Sequence, residues 1–210
     1  MNKIHTIIFD LDGTLSDSAL LTAPALQKIA PEHGLPIPSE EAIRSATGTP
    51  NPEFYYTLFP DTPRDKVRTI GNKVEKEELR ILPSLGDKLL FKGSRELLEH
   101  LSKNGIRLCI ASTGDRDHVF SILNETGIIN LFNTISYGKP NKTGMLREII
   151  GDDNKNSYIM VGDMIKDYQA ARANGILSVG VCYGYCKRDL ADFDYYINTP
   201  SELLHMIQEE

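Results

Sequence analysis

From residue 90 onward, the chain alternates short apolar runs with segments in which apolar residues recur every three or four positions. The periodic segments predict amphipathic helices, and Gly105 closes the first of them. The apolar runs, such as 106–111 and 157–161, lack regular alternation with polar residues, which is typical of strands buried on both faces. This order of elements predicts a Rossmann-like, doubly wound α/β fold with a mostly parallel sheet.

Residues 17–89 have a different pattern, in which we find no convincing strand. Four stretches of this part have helical periodicity, and prolines separate them. We therefore expect an all-helical domain at 17–89, inserted into a core formed by 1–16 and 90–210. The return of the chain to the core is expected at three helix-breaking residues, Pro83, Gly86 and Gly93.

Size and charge narrow the range of functions. A chain of 210 residues suits one large domain, or a main domain with an insertion. The net charge is −6 and the isoelectric point about 5.4. This acidic balance speaks against nucleic acid as the main partner, because proteins that bind the phosphate backbone carry a basic face. An anionic substrate is still compatible with it, since a bound metal ion can invert the local field.

The compartment can be inferred from what the sequence contains. No apolar run approaches the ~18 residues of a membrane-spanning helix. The apolar stretch near the N-terminus is too short for a secretory signal. We therefore expect a cytoplasmic protein without membrane contact. Cys109, Cys182 and Cys186 fit a reducing compartment, and we interpret them as packing residues.

Two carboxylates stand at the end of the first predicted strand. Asp10 directly follows the apolar run, and Asp12 comes two residues later. Ligands of open parallel sheets bind beyond the carboxyl ends of the strands. Unpaired carboxylates so close together repel each other and resist burial. A divalent cation would remove this cost, and an all-oxygen set of ligands favours Mg²⁺ over zinc.

The later elements add polar groups at the same edge of the predicted sheet. They contribute a hydroxyl-rich turn, two further acids and two lysines, namely Ser112-Thr113-Gly114, Asp163, Asp167, Lys139 and Lys142. Each group taken alone is commonly a helix cap, a turn or a solvated charge. Their joint occurrence in this order predicts a single site for a metal ion and an anion.

The residues of this site form a recognisable series of motifs. "FDLDGTL", "ASTG", a lysine and "VGDMIKD" resemble the motifs of the haloacid-dehalogenase-like hydrolase superfamily, and the series spans essentially the whole chain. The helical insertion after the first motif resembles the cap of the phosphoglycolate-phosphatase and phosphomutase-like branch. The resemblance implies a Mg²⁺-dependent phosphatase that hydrolyses a small phosphorylated metabolite through an aspartyl-phosphate.

The resemblance also implies a role for each acid. Asp10 would be the nucleophile that attacks phosphorus. Asp12 would protonate the leaving oxygen and then activate water, while its backbone carbonyl would help to hold Mg²⁺. Asp10 and Asp163 would bind the ion through their carboxylates. Asp167 would be a further ligand or would orient a metal-bound water.

The turns would hold the phosphate group. The resemblance implies that Ser112 and the backbone N–H groups of Thr113 and Gly114 bind phosphate oxygens. Gly13 gives the first turn its freedom, and together with Thr14 it shapes a turn whose N–H groups can face the anion. Positioning and charge neutralisation by such groups supply most of the barrier reduction in phosphoryl transfer.

A lysine would tie the nucleophile to the phosphate, and the sequence offers two. Lys139 precedes a proline and Lys142 lies three residues before Met145, and each matches one form of the family pattern. We slightly favour Lys142, and the choice stays open. In the cap, Arg44 is a candidate for contact with a second anionic group, although a helix-surface arginine is more often solvated.

Several functions compete on this scaffold. Asp12 favours a phosphate ester over a halide, because a halide leaves without protonation. A sugar phosphomutase stays an alternative, since it needs the same acid and base. A phosphorylatable receiver domain has similar acids and a lysine, but it has no cap. A non-catalytic phosphate-ligand binding protein would be expected to have lost one of these residues. The leaving group and the oligomeric state are not given by the sequence.

Overall fold

The computed structural model describes residues 4–185 and 192–208. The strands are β1 (Thr6–Phe9), β2 (Arg107–Ala111), β3 (Thr134–Ser136), β4 (Tyr158–Gly162), β5 (Leu177–Val181) and β6 (Tyr195–Ile197). The helices are α1 (Ala19–Glu32), α2 (Glu40–Ala46), α3 (Glu53–Leu58), α4 (Arg64–Leu85), α5 (Ser94–Lys103), α6 (Arg116–Glu125), α7 (Lys142–Ile150), α8 (Ile165–Asn174) and α9 (Glu202–Gln208). None of the helices in these ranges is long and apolar enough to cross a membrane.

The six strands form one parallel sheet in the order β3-β2-β1-β4-β5-β6. β1 lies in the interior, where Ile7 is registered with Leu108 of β2 and with Ile159 of β4. The chain builds the sheet from β1 first towards β3 and then in the other direction towards β6. This reversal makes the sheet doubly wound, and the predicted fold class is confirmed.

Helices cover both faces of the sheet. Ile7 and Phe9 of β1 lie in one apolar cluster with buried residues of α5, α6 and α9. Ile8, between them, lies in a second cluster with buried residues of α7 and α8. Because successive strand residues point to opposite faces, β1 is buried along its whole length, which explains the missing polar alternation.

The described cysteines are free thiols. Cys109 of β2 is fully buried in the second apolar cluster, where it packs as a small apolar residue. Cys182 follows β5 and is half-buried. Cys186 lies outside the described residues.

The four helices between β1 and α5 pack around an apolar core of their own. Its buried members include Leu26 of α1, Ile43 of α2, Phe54 of α3 and Ile70 of α4. α1 and α4 lie side by side in this group. Many of the periodic apolar residues thus face one another, whereas Leu21 of α1 and Leu82 of α4 belong to the first apolar cluster of the sheet.

The chain leaves and re-enters the core at adjacent positions. Asp17 donates its backbone N–H to the carbonyl of Leu89 at 2.8 Å, and Ser16 forms an isolated antiparallel bridge with Leu90. On this basis we propose the division expected from the sequence. The core comprises 1–16 and 90–210, and the cap comprises 17–89.

The return to the core differs in one detail from the expectation. Pro83 does not end α4, which runs through it to Leu85 and stops before Gly86. Gly86 has a φ of 48°, a conformation that glycine adopts without strain. Pro83 lies in the last turn of the helix. Its missing N–H leaves one helical hydrogen bond unmade, and the helix ends two residues later.

Candidate active site

Three neighbouring strands end in polar residues at one edge of the sheet. Asp10 follows β1, Ser112 follows β2 and Asp163 follows β4. Since β2, β1 and β4 are adjacent and parallel, their carboxyl ends lie side by side. All three residues are buried.

Three carboxylates meet at this edge, those of Asp10, Asp163 and Asp167. Each offers an oxygen atom, and these atoms lie within 4.8 Å of one another. The backbone N–H of Tyr185 donates to Asp163 at 2.8 Å and that of Met164 to Asp167 at 3.0 Å, which orients both side chains. Burial, reinforced by the charge of Asp10, raises the pKa of Asp163 well above its ordinary value. Such a set of buried oxygens fits Mg²⁺, whose charge would offset the repulsion.

Two glycines allow the carboxylates to lie close to the backbone. Gly13 has a φ of 84°, and a Cβ atom there would collide with the carboxylate of Asp163. A Cβ atom at Gly162 would collide with the side chain of Asp167. Thr14, next to Gly13, donates its hydroxyl to Asp163 at 3.4 Å. The first turn is therefore shaped around the acids.

Lys142, the first residue of α7, bridges two of the acids. Its buried ammonium lies 2.7 Å from Asp10 Oδ1 and 2.6 Å from Asp167 Oδ1. Burial acts to lower the pKa of Lys142, but the two carboxylates hold it above its ordinary value. Burial also raises the pKa of Asp10 to about 7, against the opposing effect of Lys142. One lysine therefore does not fully offset the acids.

Lys139 lies in the loop before α7 and does not join the acids. It forms an ion pair with Glu148, and the two side chains are 48% and 62% exposed. The two lysines that the sequence offered as candidates for the site therefore have different surroundings. Lys142 contacts the predicted nucleophile, whereas Lys139 has a solvent-exposed partner.

The carboxylate of Asp12 is held apart from the other acids by His118. Asp12 Oδ1 and His118 Nε2 lie 2.8 Å apart. Burial alone would raise the pKa of Asp12, but the charge and hydrogen bond of His118 hold it below its ordinary value. Burial acts to lower the pKa of His118, and the carboxylate of Asp12 raises it to about 9 instead. Asp12 is thus placed for a task different from that of Asp10.

His118 is not among the site residues predicted from the sequence. This residue belongs to the first turn of α6, where its backbone N–H donates to the capping side chain of Asp115 at 2.9 Å. Side chains on a helix lean towards its N-terminus. Because α6 begins just after the turn at Ser112, a first-turn residue can point back into the site. That position was the signal available in the sequence.

Replacing His118 by alanine is expected to lower kcat by up to about 10²-fold. The carboxylate of Asp12 would lose its hydrogen-bonded partner, and small misplacements of reacting groups have effects of this size. Steady-state kinetics on any hydrolysed ester would measure the change. The exposed Glu125→Ala variant on the same helix is the control. Unchanged kcat in His118→Ala would show that Asp12 needs no such partner.

The same pair predicts how folding stability depends on pH. A histidine whose folded pKa is raised to about 9 stabilises the fold fully below its unfolded pKa of about 6.5. This contribution is lost as the pH rises through about 9. The side chain of His118 is 23% exposed, so we expect only about 1 kcal/mol. Chemical denaturation of wild type and His118→Ala at pH 6 and pH 9.5 would measure it, and a pH-independent difference would contradict it.

The turn after β2 touches both the site and the cap. The backbone N–H of Gly114 donates to Ser112 Oγ at 3.1 Å. The hydroxyl of Thr113 donates to the carbonyl of Gly48, in the cap, at 2.8 Å. Thr113 and Gly114 therefore line the same cavity as Asp12, and Thr113 also connects the core to the cap.

Arg44 is engaged by acids of the cap. It donates to Asp17 at 2.7 and 3.2 Å and to Glu40 at 2.9 Å, and it lies 5.0 Å from the ring centre of Tyr185. The guanidinium group of Arg44 thus has partners within the chain, and its contact with a second anionic group stays a prediction. The pair with Asp17, two residues before α1, connects that segment to α2, and the pair with Glu40 lies within α2.

A cavity of about 60 Å³ lies between the cap and the core, beside Asp12. The core side includes His118 and Thr113, and the cap side includes Asn51, Tyr55 and Glu78. The buried carboxyl group of Glu78 accepts a hydrogen bond from Thr22 at 2.6 Å. Burial raises the pKa of Glu78.

Comparison with known proteins shows to which family the chain belongs. The family model described as haloacid dehalogenase-like hydrolase matches residues 7–181. The chain belongs to this family. A relative, the phosphoglycolate phosphatase of Synechococcus elongatus, is 29% identical, and the match covers 98% of this chain and 98% of the relative.

Two solved structures have the same fold. A predicted phosphoglycolate phosphatase from Haemophilus somnus superposes with a TM-score of 0.88 at 23% identity, covering 99% of this chain and 100% of that chain. A β-phosphoglucomutase from Clostridium difficile reaches 0.78 at 22% identity, covering 98% and 96%. The recognition of the family and the expectation of a hydrolase are confirmed. The shared fold does not separate phosphatase from mutase chemistry.

Proposed function

We propose that the protein is a Mg²⁺-dependent phosphatase that hydrolyses a small phosphomonoester through an aspartyl-phosphate on Asp10. One observation carries the proposal. Asp10 lies 2.7 Å from the ammonium of Lys142, while Asp12, two residues on, is held apart by His118. One carboxylate can thus attack while the other transfers protons. The names of relatives support a phosphate ester as the substrate class.

In the first step, a carboxylate oxygen of Asp10 attacks phosphorus, and the bond from phosphorus to the ester oxygen breaks. The leaving oxygen takes a proton from Asp12, which in turn receives one from the protonated His118 at 2.8 Å. Since the pKa of His118 is about 9, the pair of Asp12 and His118 holds one proton at neutral pH. Lys142 offsets charge on the transferred group, and electrostatic stabilisation of this kind is a major part of such catalysis.

In the second step, the oxygen of a water molecule attacks phosphorus while the water gives a proton to Asp12. The bond from phosphorus to Asp10 breaks, which releases inorganic phosphate and restores the carboxylate. We assign the binding of phosphate oxygens to Ser112, to the N–H groups of Thr113 and Gly114, and to the turn of Gly13 and Thr14.

The buried acids supply the metal site of this proposal. The carboxylates of Asp10, Asp163 and Asp167, with the backbone carbonyl of Asp12, would hold Mg²⁺. The ion would neutralise charge on the anionic ester when bound. The chain itself contributes the fixed positions of these oxygens, through the contacts of Asp163 with Tyr185 and of Asp167 with Lys142.

Removing Mg²⁺ is expected to abolish hydrolysis and to lower the melting temperature. A ligand at 100 times its Kd stabilises a protein by about 2.7 kcal/mol, so a shift of roughly 5 °C or more is expected for this size. A panel of phosphate esters would be assayed with Mg²⁺, with EDTA, and with Mg²⁺ restored.

The outcomes of this panel separate the competing functions. Turnover that persists in EDTA would remove the metal from the proposal. A failure both to hydrolyse and to isomerise any ester with Mg²⁺ would favour the non-catalytic binding protein. Conversion of a phosphorylated sugar into its isomer, with little free phosphate, would identify a mutase instead.

A further inference from the structure

The cavity beside Asp12 has an acidic wall. Among the described lining residues, those with a carboxyl or imidazole side chain are Asp12, Glu78, Asp115 and His118. His118 is the only cation of this set and pairs with Asp12 at 2.8 Å. Glu78 and Asp115 therefore dominate the charge that the remaining wall presents to a substrate.

Glu78 is the most constrained of these acids. It is 8% exposed, and its Oε1 accepts the hydroxyl hydrogen of Thr22 at 2.6 Å. Within 4–185 and 192–208, we find no hydrogen-bond donor on its second oxygen and no lysine or arginine paired with it. The nearby cation, His118, acts on Glu78 through its charge but is hydrogen-bonded to Asp12, and a buried carboxyl group without a hydrogen-bonded cation of its own is costly. The cavity thus offers an acceptor to the molecule that fills it.

The cations around the site are engaged by other groups. They are Arg44 with Asp17, Lys142 with Asp10, and Lys166 with the carbonyl of Gly48. None of these three belongs to the described lining of the cavity. A second anionic group on a substrate would therefore meet acids in the cavity and no free cation.

The acidic wall continues beyond the first cavity. A second cavity of about 360 Å³ shares Asn51, Glu78, Asp115 and His118 with it. It adds three charged residues, Glu75, Lys76 and Asp117. Burial and the neighbouring acids Asp115 and Glu78 raise the pKa of Glu75 to about 7. A longer leaving group would extend along the same acidic surface.

We propose that the leaving group of the substrate carries no second negative charge and presents hydroxyl or ammonium donors to Glu78. This inference rests on the proposed phosphatase function and specifies its substrate class. A neutral or cationic alcohol satisfies the buried carboxyl group. A carboxylate or second phosphate would lie beside the buried Glu78, where the low dielectric strengthens repulsion, and close to the exposed carboxylate of Asp115.

Three esters of two-carbon alcohols separate charge from size. They are 2-aminoethyl phosphate, 2-hydroxyethyl phosphate and 2-phosphoglycolate, whose leaving groups are cationic, neutral and anionic. We expect kcat/KM for the first two to exceed that for the third by at least about tenfold. p-Nitrophenyl phosphate, assayed under the same Mg²⁺ conditions, reports whether the enzyme hydrolyses phosphate esters at all.

The Glu78→Gln variant tests the assigned residue. Glutamine keeps the size of the side chain and an oxygen that accepts from Thr22, but it removes the charge. The ratio of kcat/KM for 2-hydroxyethyl phosphate to kcat/KM for 2-phosphoglycolate should therefore fall about tenfold. Glu41→Gln, on the exposed surface of α2, is the matched control and should keep the wild-type preference. Thermal unfolding of both variants would establish that they fold.

Two results would overturn the inference while leaving the phosphatase proposal intact. One is a wild-type preference for 2-phosphoglycolate, and the other is an unchanged preference in Glu78→Gln, each with normal turnover of p-nitrophenyl phosphate. Absence of turnover with p-nitrophenyl phosphate and all three esters would overturn the phosphatase proposal itself. The two failures are therefore distinguishable.

Discussion

Replacing Asp10 by asparagine is expected to lower turnover by at least about 10⁴-fold while the protein stays folded. An amide is a poor nucleophile and cannot form the acyl phosphate that the proposed route requires. The fold should tolerate the change, because burial already raises the pKa of Asp10 to about 7 and a neutral side chain relieves repulsion from Asp163. Steady-state kinetics and thermal unfolding would measure the two effects.

A covalent readout makes this test specific to the nucleophile. Wild-type protein mixed rapidly with a labelled ester should carry acid-stable label on Asp10, and Asp10→Asn should carry none. Asp152→Asn, an exposed position outside the site, is the matched control and should behave as wild type. Retention of more than about one hundredth of the activity in Asp10→Asn would exclude Asp10 as the nucleophile.

The positions of the acids were predictable because the backbone topology alone determines them. Asp10, Ser112 and Asp163 each follow a buried apolar run, and parallel neighbours bring such positions to one edge. The helical insertion was predictable for a similar reason, since its apolar periodicity differs from that of the strands. These features depend on local pattern and strand order, which the sequence contains.

The partners of the side chains were less accessible, because tertiary packing decides them. Arg44 was predicted as a contact for a second anionic group of the substrate, and the packing of the cap pairs it with Asp17. In the sequence, His118 has the pattern of an ordinary helix residue, and its contact with Asp12 depends on where α6 packs. In both cases the contact joins segments distant in sequence, and charge pattern along the chain does not reveal such a contact.

Tertiary packing also decides the partners of Lys139 and Lys142, which are only three residues apart in sequence. Replacing Lys142 gives the second large effect that we expect on turnover. Lys142→Met is expected to lower kcat by about 10²–10³-fold, the loss typical of removing one group that stabilises developing charge. Methionine keeps most of the aliphatic stem, so the change removes mainly the ammonium that contacts Asp10 and Asp167 at 2.7 and 2.6 Å. The two buried acids lose their cation, and we expect a loss of folding stability of about 3 kcal/mol in the absence of Mg²⁺.

Lys139→Met provides the matched comparison, since the substitution is the same and the position lies in the loop before α7. The ion pair of Lys139 with Glu148 is exposed, and pairs of this kind contribute at most about 1 kcal/mol. We therefore expect kcat and the melting temperature to stay near wild type. Mg²⁺ should restore part of the stability of Lys142→Met, because the ion would replace positive charge beside the same carboxylates, but it should not restore kcat. A larger loss of kcat in Lys139→Met than in Lys142→Met would contradict the site, because the cation of the reaction would then lie outside the buried acid cluster.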